Sequence, residues 1–151
     1  MQAYEDQGLN VTENQPPVDL QDFFDFCGVI ADRYKGRVHA WQVWNEPNLS
    51  REWGDIAPDP AAYVELLAGC YAAIKAADPA AIVVSAGLAP TGTLPPAAMP
   101  DDDYLREMYA AGAAEHFDVL GLNAPGFKAA PEVSPDAVSY THLTLPTILL
   151  V

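Results

Sequence analysis

The sequence predicts an α/β fold built on a parallel sheet, because apolar strands and amphipathic helices alternate along the chain. Residues 38–44 (VHAWQVW), 81–86 (AIVVSA) and 117–123 (FDVLGLN) are rich in β-branched or aliphatic residues and apolar enough for burial on both faces. Roughly forty residues separate one strand from the next, which leaves room for a crossover helix. Such sheets occur in doubly wound folds and in (β/α)₈ barrels.

Three helices are predicted from the spacing of apolar residues before and between these strands. The first covers residues 19–34 and begins at an aspartate N-cap. The second covers residues 60–77 and has an Asp-Pro pair at each end. The third opens on aspartates 101–103, where negative charge suits the N-terminal dipole. Its expected apolar face consists of Leu105, Met108, Tyr109 and Gly112.

The composition limits the classes of partner. The chain has 151 residues, 7 basic and 21 acidic, which gives a formal net charge of −14. That charge disfavours broad binding to nucleic acid or to anionic lipid, so we expect neither as a partner. No G-x-G-x-x-G or Walker-type loop follows a strand, and no apolar run approaches the ~20 residues of a membrane helix. We therefore expect no cofactor, and the oligomeric state stays open.

The remaining chemical groups favour structural interpretations. Cys27 and Cys70 sit in the predicted helices among apolar neighbours, so both are expected to be small buried side chains. Ser85 lacks a G-x-S-x-G elbow, which argues against a serine hydrolase triad. The three histidines show no metal-ligand spacing, so no metal is expected.

The most informative segment is residues 41–53 (WQVWNEPNLSREW). Glu46 lies at the carboxyl end of a predicted parallel strand, where (β/α)₈ barrels build their active sites. Trp44 and Trp53 offer flat apolar rings suited to stacking on a sugar. Adjacent strand residues point to opposite faces, so Asn45 and Glu46 reach one ligand only if the strand end is distorted. Pro47 makes such a distortion reasonable.

The Trp-Asn-Glu-Pro-Asn run at residues 44–48 resembles the Asn-Glu-Pro signature that ends the fourth strand of clan A glycoside hydrolases. Residues 81–92 (AIVVSAGLAPTG) look like the fifth strand and its loop, and residues 117–127 (FDVLGLNAPGF) look like the sixth. The resemblance covers residues 16–137. It implies that residues 1–137 are a partial (β/α)₈ TIM-barrel domain, about strands four to six with their helices.

The resemblance implies a retaining glycosidase that hydrolyses β-linked O-glycosidic bonds of oligo- or polysaccharides. Glu46 would be the general acid/base, Asn45 would contact the sugar 2-hydroxyl, and neighbouring side chains would complete the substrate-binding set. The members of that set are Trp44, Trp53 and Asn123. Many family members carry a tyrosine where this sequence has Phe127, which puts the subfamily in doubt.

A retaining site also needs a nucleophilic carboxylate, and in the family it follows the seventh strand. The sequence stops after the sixth, and none of the other acids near a strand end is a good substitute. Those considered are Glu52, Asp55, Asp118 and Glu132. We therefore expect an internal fragment of an enzyme that is inactive by itself. The alternatives are a non-catalytic carbohydrate-binding or degenerate barrel, and, less favoured, a self-contained doubly wound domain.

The last segment, residues 138–151 (VSYTHLTLPTILLV), differs from the rest of the chain. It has no charged residue and no alanine or glycine, and it resembles translated sequencing adapter, so we predict that it is not native. The alternative is a genuine apolar edge strand. The first ten residues carry acids and no apolar core, so they do not form a signal peptide, and secretion would require a leader upstream.

Overall fold

The computed structural model describes residues 14–124 and has the predicted mixed α/β class. Its main elements are α1 (Leu20–Arg33), β1 (Ala40–Gln42), α2 (Pro60–Ala77), β2 (Ile82–Val84) and α3 (Asp101–Ala110). Strands β1 and β2 pair in parallel, with Trp41 opposite Val83. Phe127, Glu132, the predicted boundary at residue 137 and the segment beyond it lie outside the described range.

Helices α1 and α2 begin and end where the sequence predicts. The Asp19 carboxylate accepts a hydrogen bond from the Gln21 amide at 2.9 Å, and the Asp59 carboxylate accepts one from Ala62 at 3.0 Å. Each aspartate satisfies one of the amides that a helix start leaves unpaired. The two helices pack against each other, and both contribute to the core with the sheet. Within residues 14–124, no helix combines the length and apolar character needed to cross a bilayer.

The strands are shorter than predicted. The prediction that β1 is buried on both faces is wrong. Trp41 packs against the core, whereas Ala40 and Gln42 are exposed. The predicted third strand makes only isolated parallel bridges, Val84 with Val119 and Leu88 with Leu122. Two side chains take part in this pairing: the Asp118 carboxylate accepts the Val83 amide at 2.7 Å and the Ser85 hydroxyl accepts the Gly121 amide at 3.0 Å, donors that a regular ladder would pair with backbone carbonyls.

The buried face of α3 is rotated from the prediction. Tyr104 and Met108 are fully buried, one helical turn apart, and Asp101 extends the same stripe. Tyr109 is 41% exposed and Gly112 is exposed, so both were wrongly predicted to face the core. Gly112 has a φ of 90° just beyond the helix, a left-handed conformation typical of a helix-terminating glycine.

Tyr63 ties the carboxyl ends of the two strands together. Its side chain is completely buried, and its hydroxyl donates to the Val43 carbonyl at 3.0 Å and accepts from the Ala86 amide at 2.6 Å. One side chain of α2 thus satisfies a backbone group beyond each strand. Burial raises the pKa of the Tyr63 phenol well above its ordinary value, so the hydroxyl keeps its proton.

We expect Tyr63→Phe to lower the free energy of unfolding by about 2–3 kcal/mol, because it leaves a buried amide and a buried carbonyl without a partner. Urea denaturation followed by tryptophan fluorescence measures this. The matched control is Tyr109→Phe, which removes a hydroxyl from an exposed ring and should change stability by less than about 0.5 kcal/mol. Equal effects of the two substitutions would contradict the bridging role.

Candidate active site

Glu46 lies just past the carboxyl end of β1, on a distorted piece of backbone. Trp44 has a φ of 71° and Glu46 a φ of 48°, both in the left-handed region that non-glycine residues rarely adopt. The backbone amide of Glu46 donates to the Gly87 carbonyl beyond β2 at 2.9 Å. The backbone carbonyl of Glu46 accepts from the Leu49 amide at 2.9 Å. These bonds hold a conformation that costs about 1–3 kcal/mol per residue and that concentrates at functional sites.

The distortion brings three polar side chains together. Asn123 Nδ2 donates to Glu46 Oε1 at 2.9 Å and to Asn45 Oδ1 at 3.2 Å. The expectation that a distorted strand end lets Asn45 and Glu46 face one place agrees with this geometry. The Glu46 side chain is 19% exposed, so one part of the carboxylate stays accessible while the amide of Asn123 fixes the other.

Gly87 makes room for this arrangement. A Cβ atom built on Gly87 would lie 2.8 Å from the amide carbon of Asn123, closer than real side chains pack, and closer still to its oxygen. The Asn123 side chain therefore occupies the space that any larger residue at position 87 would fill. The glycine at the end of one strand permits the asparagine at the end of the next to reach Glu46.

A cleft opens on the other side of Glu46, between the loops that follow β1 and β2. Its volume is about 490 Å³, and its polar lining side chains include Ser50, Arg51, Thr91 and Thr93. The Arg51 guanidinium is 70% exposed and lies 3.8 Å from Glu46 Oε2. The carboxyl group of Glu46 thus has one oxygen bound to Asn123 and the other near the guanidinium that lines the cleft.

Asn48 fixes the walls of this cleft. It is fully buried, and its amide donates to the carbonyls of Ala89 at 2.8 Å and Met99 at 3.0 Å, while its oxygen accepts from the Ala89 amide at 2.9 Å. Leu49 also forms an antiparallel bridge with Ala98. A buried amide with three satisfied bonds cannot rotate without losing them, so the two loops are held in one relative position.

The tryptophans differ from one another in exposure. Trp53 is 3% exposed, and its ring packs edge-on against Trp44 and Tyr63, with centroids 5.6 and 6.2 Å apart. Trp44 is half-buried, and its indole nitrogen donates to the Glu52 carbonyl at 2.9 Å. The structure therefore places Trp53 in the core, where its ring faces meet protein, and leaves part of Trp44 beside the site.

The other carboxylates of the sequence analysis differ in their surroundings. Asp118 sits at the opposite end of the sheet, 2.6 Å from the Lys75 ammonium. Desolvation acts to raise the pKa of Asp118, but the bonds from Lys75 and the Val83 amide outweigh it and hold that pKa below its ordinary value. Glu52 accepts from Asn14 at 3.0 Å and pairs with Arg51, and Asp55 is exposed. Glu52 therefore shares its Arg51 partner with Glu46, whose Oε2 lies 3.8 Å from the same guanidinium.

The groups assigned structural roles also have local explanations. Ser85 is fully buried, and its hydroxyl accepts the Gly121 amide at 3.0 Å. The ring of His116 packs against Tyr71, and His39 is exposed at the start of β1. In the part of the chain that the structure covers, no three histidine, cysteine, aspartate or glutamate side chains group as metal ligands would.

Comparison with known proteins finds similarity among solved structures. No protein-family model matches the chain, and no curated protein matches it. Among solved structures it is similar to a monomeric β-xylosidase from Caulobacter crescentus, with a TM-score of 0.53 and 26% sequence identity. The match covers 76% of this chain and 22% of the β-xylosidase, so the chain spans about a fifth of that protein's length. This likeness supports a glycosidase-like fold.

Sequence reasoning named Glu46, Asn45 and Asn123 but missed the residues that arrange them. Gly87 could have been identified from the sequence, because a glycine directly after a strand often marks a place where another group approaches the backbone closely. Asn48 belongs to the motif, but its position directly after Pro47 does not predict that its side chain forms three buried hydrogen bonds. Arg51 was not singled out, because an exposed arginine in a loop has no distinguishing pattern.

Proposed function

We propose that this chain is part of a retaining glycosidase with a (β/α)₈ barrel, which hydrolyses β-linked O-glycosidic bonds with Glu46 as general acid/base. The observation that carries the proposal is the cluster of Glu46, Asn45 and Asn123 at the carboxyl ends of adjacent parallel segments. Barrel enzymes build their active sites at this edge. The likeness to a β-xylosidase supports the same class of reaction and a carbohydrate substrate.

The geometry suits a carboxyl group that gives and takes a proton. In the first step, a carboxylate from outside residues 14–124 attacks the anomeric carbon while Glu46 protonates the departing oxygen. In the second step, Glu46 accepts a proton from the water that cleaves the glycosyl-enzyme bond. Asn123 holds one oxygen of Glu46, so the other oxygen is the one available for proton transfer. Asn45 remains the proposed contact of the sugar 2-hydroxyl.

The cleft beside Glu46 suits the leaving group. Glu46 lines it together with the hydroxyl-bearing residues Ser50, Thr91 and Thr93. The carboxyl oxygen of Glu46 that Asn123 does not bind, Oε2, lies 3.8 Å from Arg51, which also lines the cleft. A group that receives a proton from Glu46 must lie within hydrogen-bond reach of that oxygen. Trp44, which is partly accessible, stays a proposed contact for the sugar, whereas Trp53 is not carried into the proposed site because its ring is buried.

The test uses the full-length protein that contains this segment. It should hydrolyse aryl and alkyl β-glycosides, and proton NMR during turnover should show the β-anomer of the sugar forming first, because two displacements retain configuration. Initial formation of the α-anomer would contradict a retaining mechanism. If calorimetry shows tight sugar binding and no β-glycoside is hydrolysed, the protein is a non-catalytic carbohydrate-binding barrel and the proposed enzymatic function is wrong.

A further inference from the structure

The two cysteines, which the sequence predicts to be small buried side chains, lie against each other. Cys27 on α1 and Cys70 on α2 are 43 positions apart in sequence, yet their sulfur atoms are 3.0 Å apart and share a hydrogen bond. Cys27 is 7% exposed and Cys70 is fully buried. Two free thiols therefore face each other across the interface of the two helices that support the sheet.

Small residues next to the cysteines let the helices approach this closely. A Cβ atom on Gly69 would overlap the ring of Phe24, so the ring occupies the space above that glycine. A Cβ atom on Gly28 would meet Ala73 at 3.7 Å, an ordinary contact. A disulfide has a sulfur–sulfur distance of about 2.0 Å, so about 1 Å of movement separates the pair from a covalent bond.

We propose that Cys27 and Cys70 form an intramolecular disulfide that ties α1 to α2 when the protein meets a small-molecule disulfide oxidant such as oxidised glutathione. The thiolate of Cys27 attacks the oxidant, which releases one glutathione thiolate and leaves a mixed disulfide on Cys27. The thiolate of Cys70 then attacks the Cys27 sulfur and releases the second glutathione. The two thiol protons end on the two glutathione molecules, which take up the two electrons.

The environment favours this order of steps. The hydrogen bond with Cys70 holds the pKa of Cys27 below its ordinary value, whereas the same bond and burial raise the pKa of Cys70. Cys27 is also the more exposed of the two residues, so we expect a dissolved oxidant to reach it first. The closed loop contains β1 and Glu46, so the bond would join the helix that precedes the candidate site in the chain to the helix that follows it.

The test measures how strongly folding promotes the bond in the full-length protein that contains this segment. The protein is equilibrated with known ratios of reduced and oxidised glutathione, trapped by alkylation and weighed by mass spectrometry, in native buffer and in urea. The intramolecular disulfide takes up no alkylating agent, so it is lighter than the alkylated dithiol by two alkyl groups. The equilibrium constant should be at least about 100-fold higher in native buffer, because packed helices hold the thiols together better than a flexible loop does. Equal constants in the two solvents would overturn the proposal.

Two variants and a melting experiment make the result specific. Cys70→Ser should yield only the glutathione adduct of Cys27, and Gly69→Val, which keeps both thiols but crowds Phe24, should reduce the native constant toward the urea value. The oxidised protein should melt at a higher temperature than the reduced protein, because the bond closes a long loop of the unfolded state. An unchanged constant in Gly69→Val, or an unchanged melting temperature, would contradict a bond made by the native helix packing.

Discussion

Replacing Glu46 with glutamine in the full-length protein should reduce kcat/KM on alkyl β-glycosides by about 10²–10⁴-fold, the usual contribution of a positioned general acid. Glutamine keeps an oxygen that can accept from Asn123 Nδ2, so the hydrogen-bonded cluster survives. The lost 3.8 Å contact with Arg51 is exposed and contributes little to stability. The expected defect is therefore chemical and leaves the fold intact.

The leaving group separates the role of Glu46 from a general loss of activity. An aryl glycoside with a weakly basic phenolate departs without a proton, so its first step should be nearly unaffected by Glu46→Gln. Added azide needs no base to activate it and should restore turnover of that substrate. Asp55→Asn is the matched control, because it neutralises an exposed carboxylate in the same loop and should leave both rates unchanged. If Glu46→Gln lowers kcat/KM equally on alkyl and activated aryl glycosides, Glu46 is not the general acid.

The sequence predicted the parts of the fold that depend on local chemistry. The starts of α1 and α2 followed from an aspartate that can accept an amide and from proline at the first helical position of α2. The irregular pairing of the third segment did not follow, because Asp118 accepts an amide of β2 with its side chain. The rotation of α3 depends on which neighbour its residues contact, and the apolar spacing alone fitted Tyr109 as well as Tyr104.

In the candidate site, too, the sequence predicts the residues that depend on a local pattern and not those that depend on packing between elements. Glu46 and Asn45 followed from a motif at a strand end, and the need for a distorted backbone followed from the alternation of side chains along a strand. The burial of Trp53 and the meeting of Cys27 with Cys70 depend on how one element sits against another. A tryptophan in a loop and a cysteine on a helix look the same in sequence whether a neighbouring element covers them or leaves them free.

Gly87→Ala should reduce kcat/KM by about 10²-fold, although Gly87 itself carries no reactive group. An added Cβ would lie 2.8 Å from the Asn123 amide carbon, so the asparagine must move and its 2.9 Å bond to Glu46 must lengthen or break. A displacement of about 1 Å in a catalytic group costs a loss of this size. Gly92→Ala is the control in the same loop region, because a Cβ there meets no atom within 4 Å.

A double-mutant cycle tests whether Gly87 acts through Asn123. If the clash with Asn123 causes the loss, removing that side chain abolishes the clash, so Gly87→Ala combined with Asn123→Ala should be no worse than Asn123→Ala alone. Thermal melting of each variant shows whether the fold is kept, and kcat should fall more than KM rises because a positioned acid acts in the transition state. Fully additive losses would mean that the alanine disturbs the Gly87 carbonyl, which accepts the Glu46 amide, and that Asn123 is not the link.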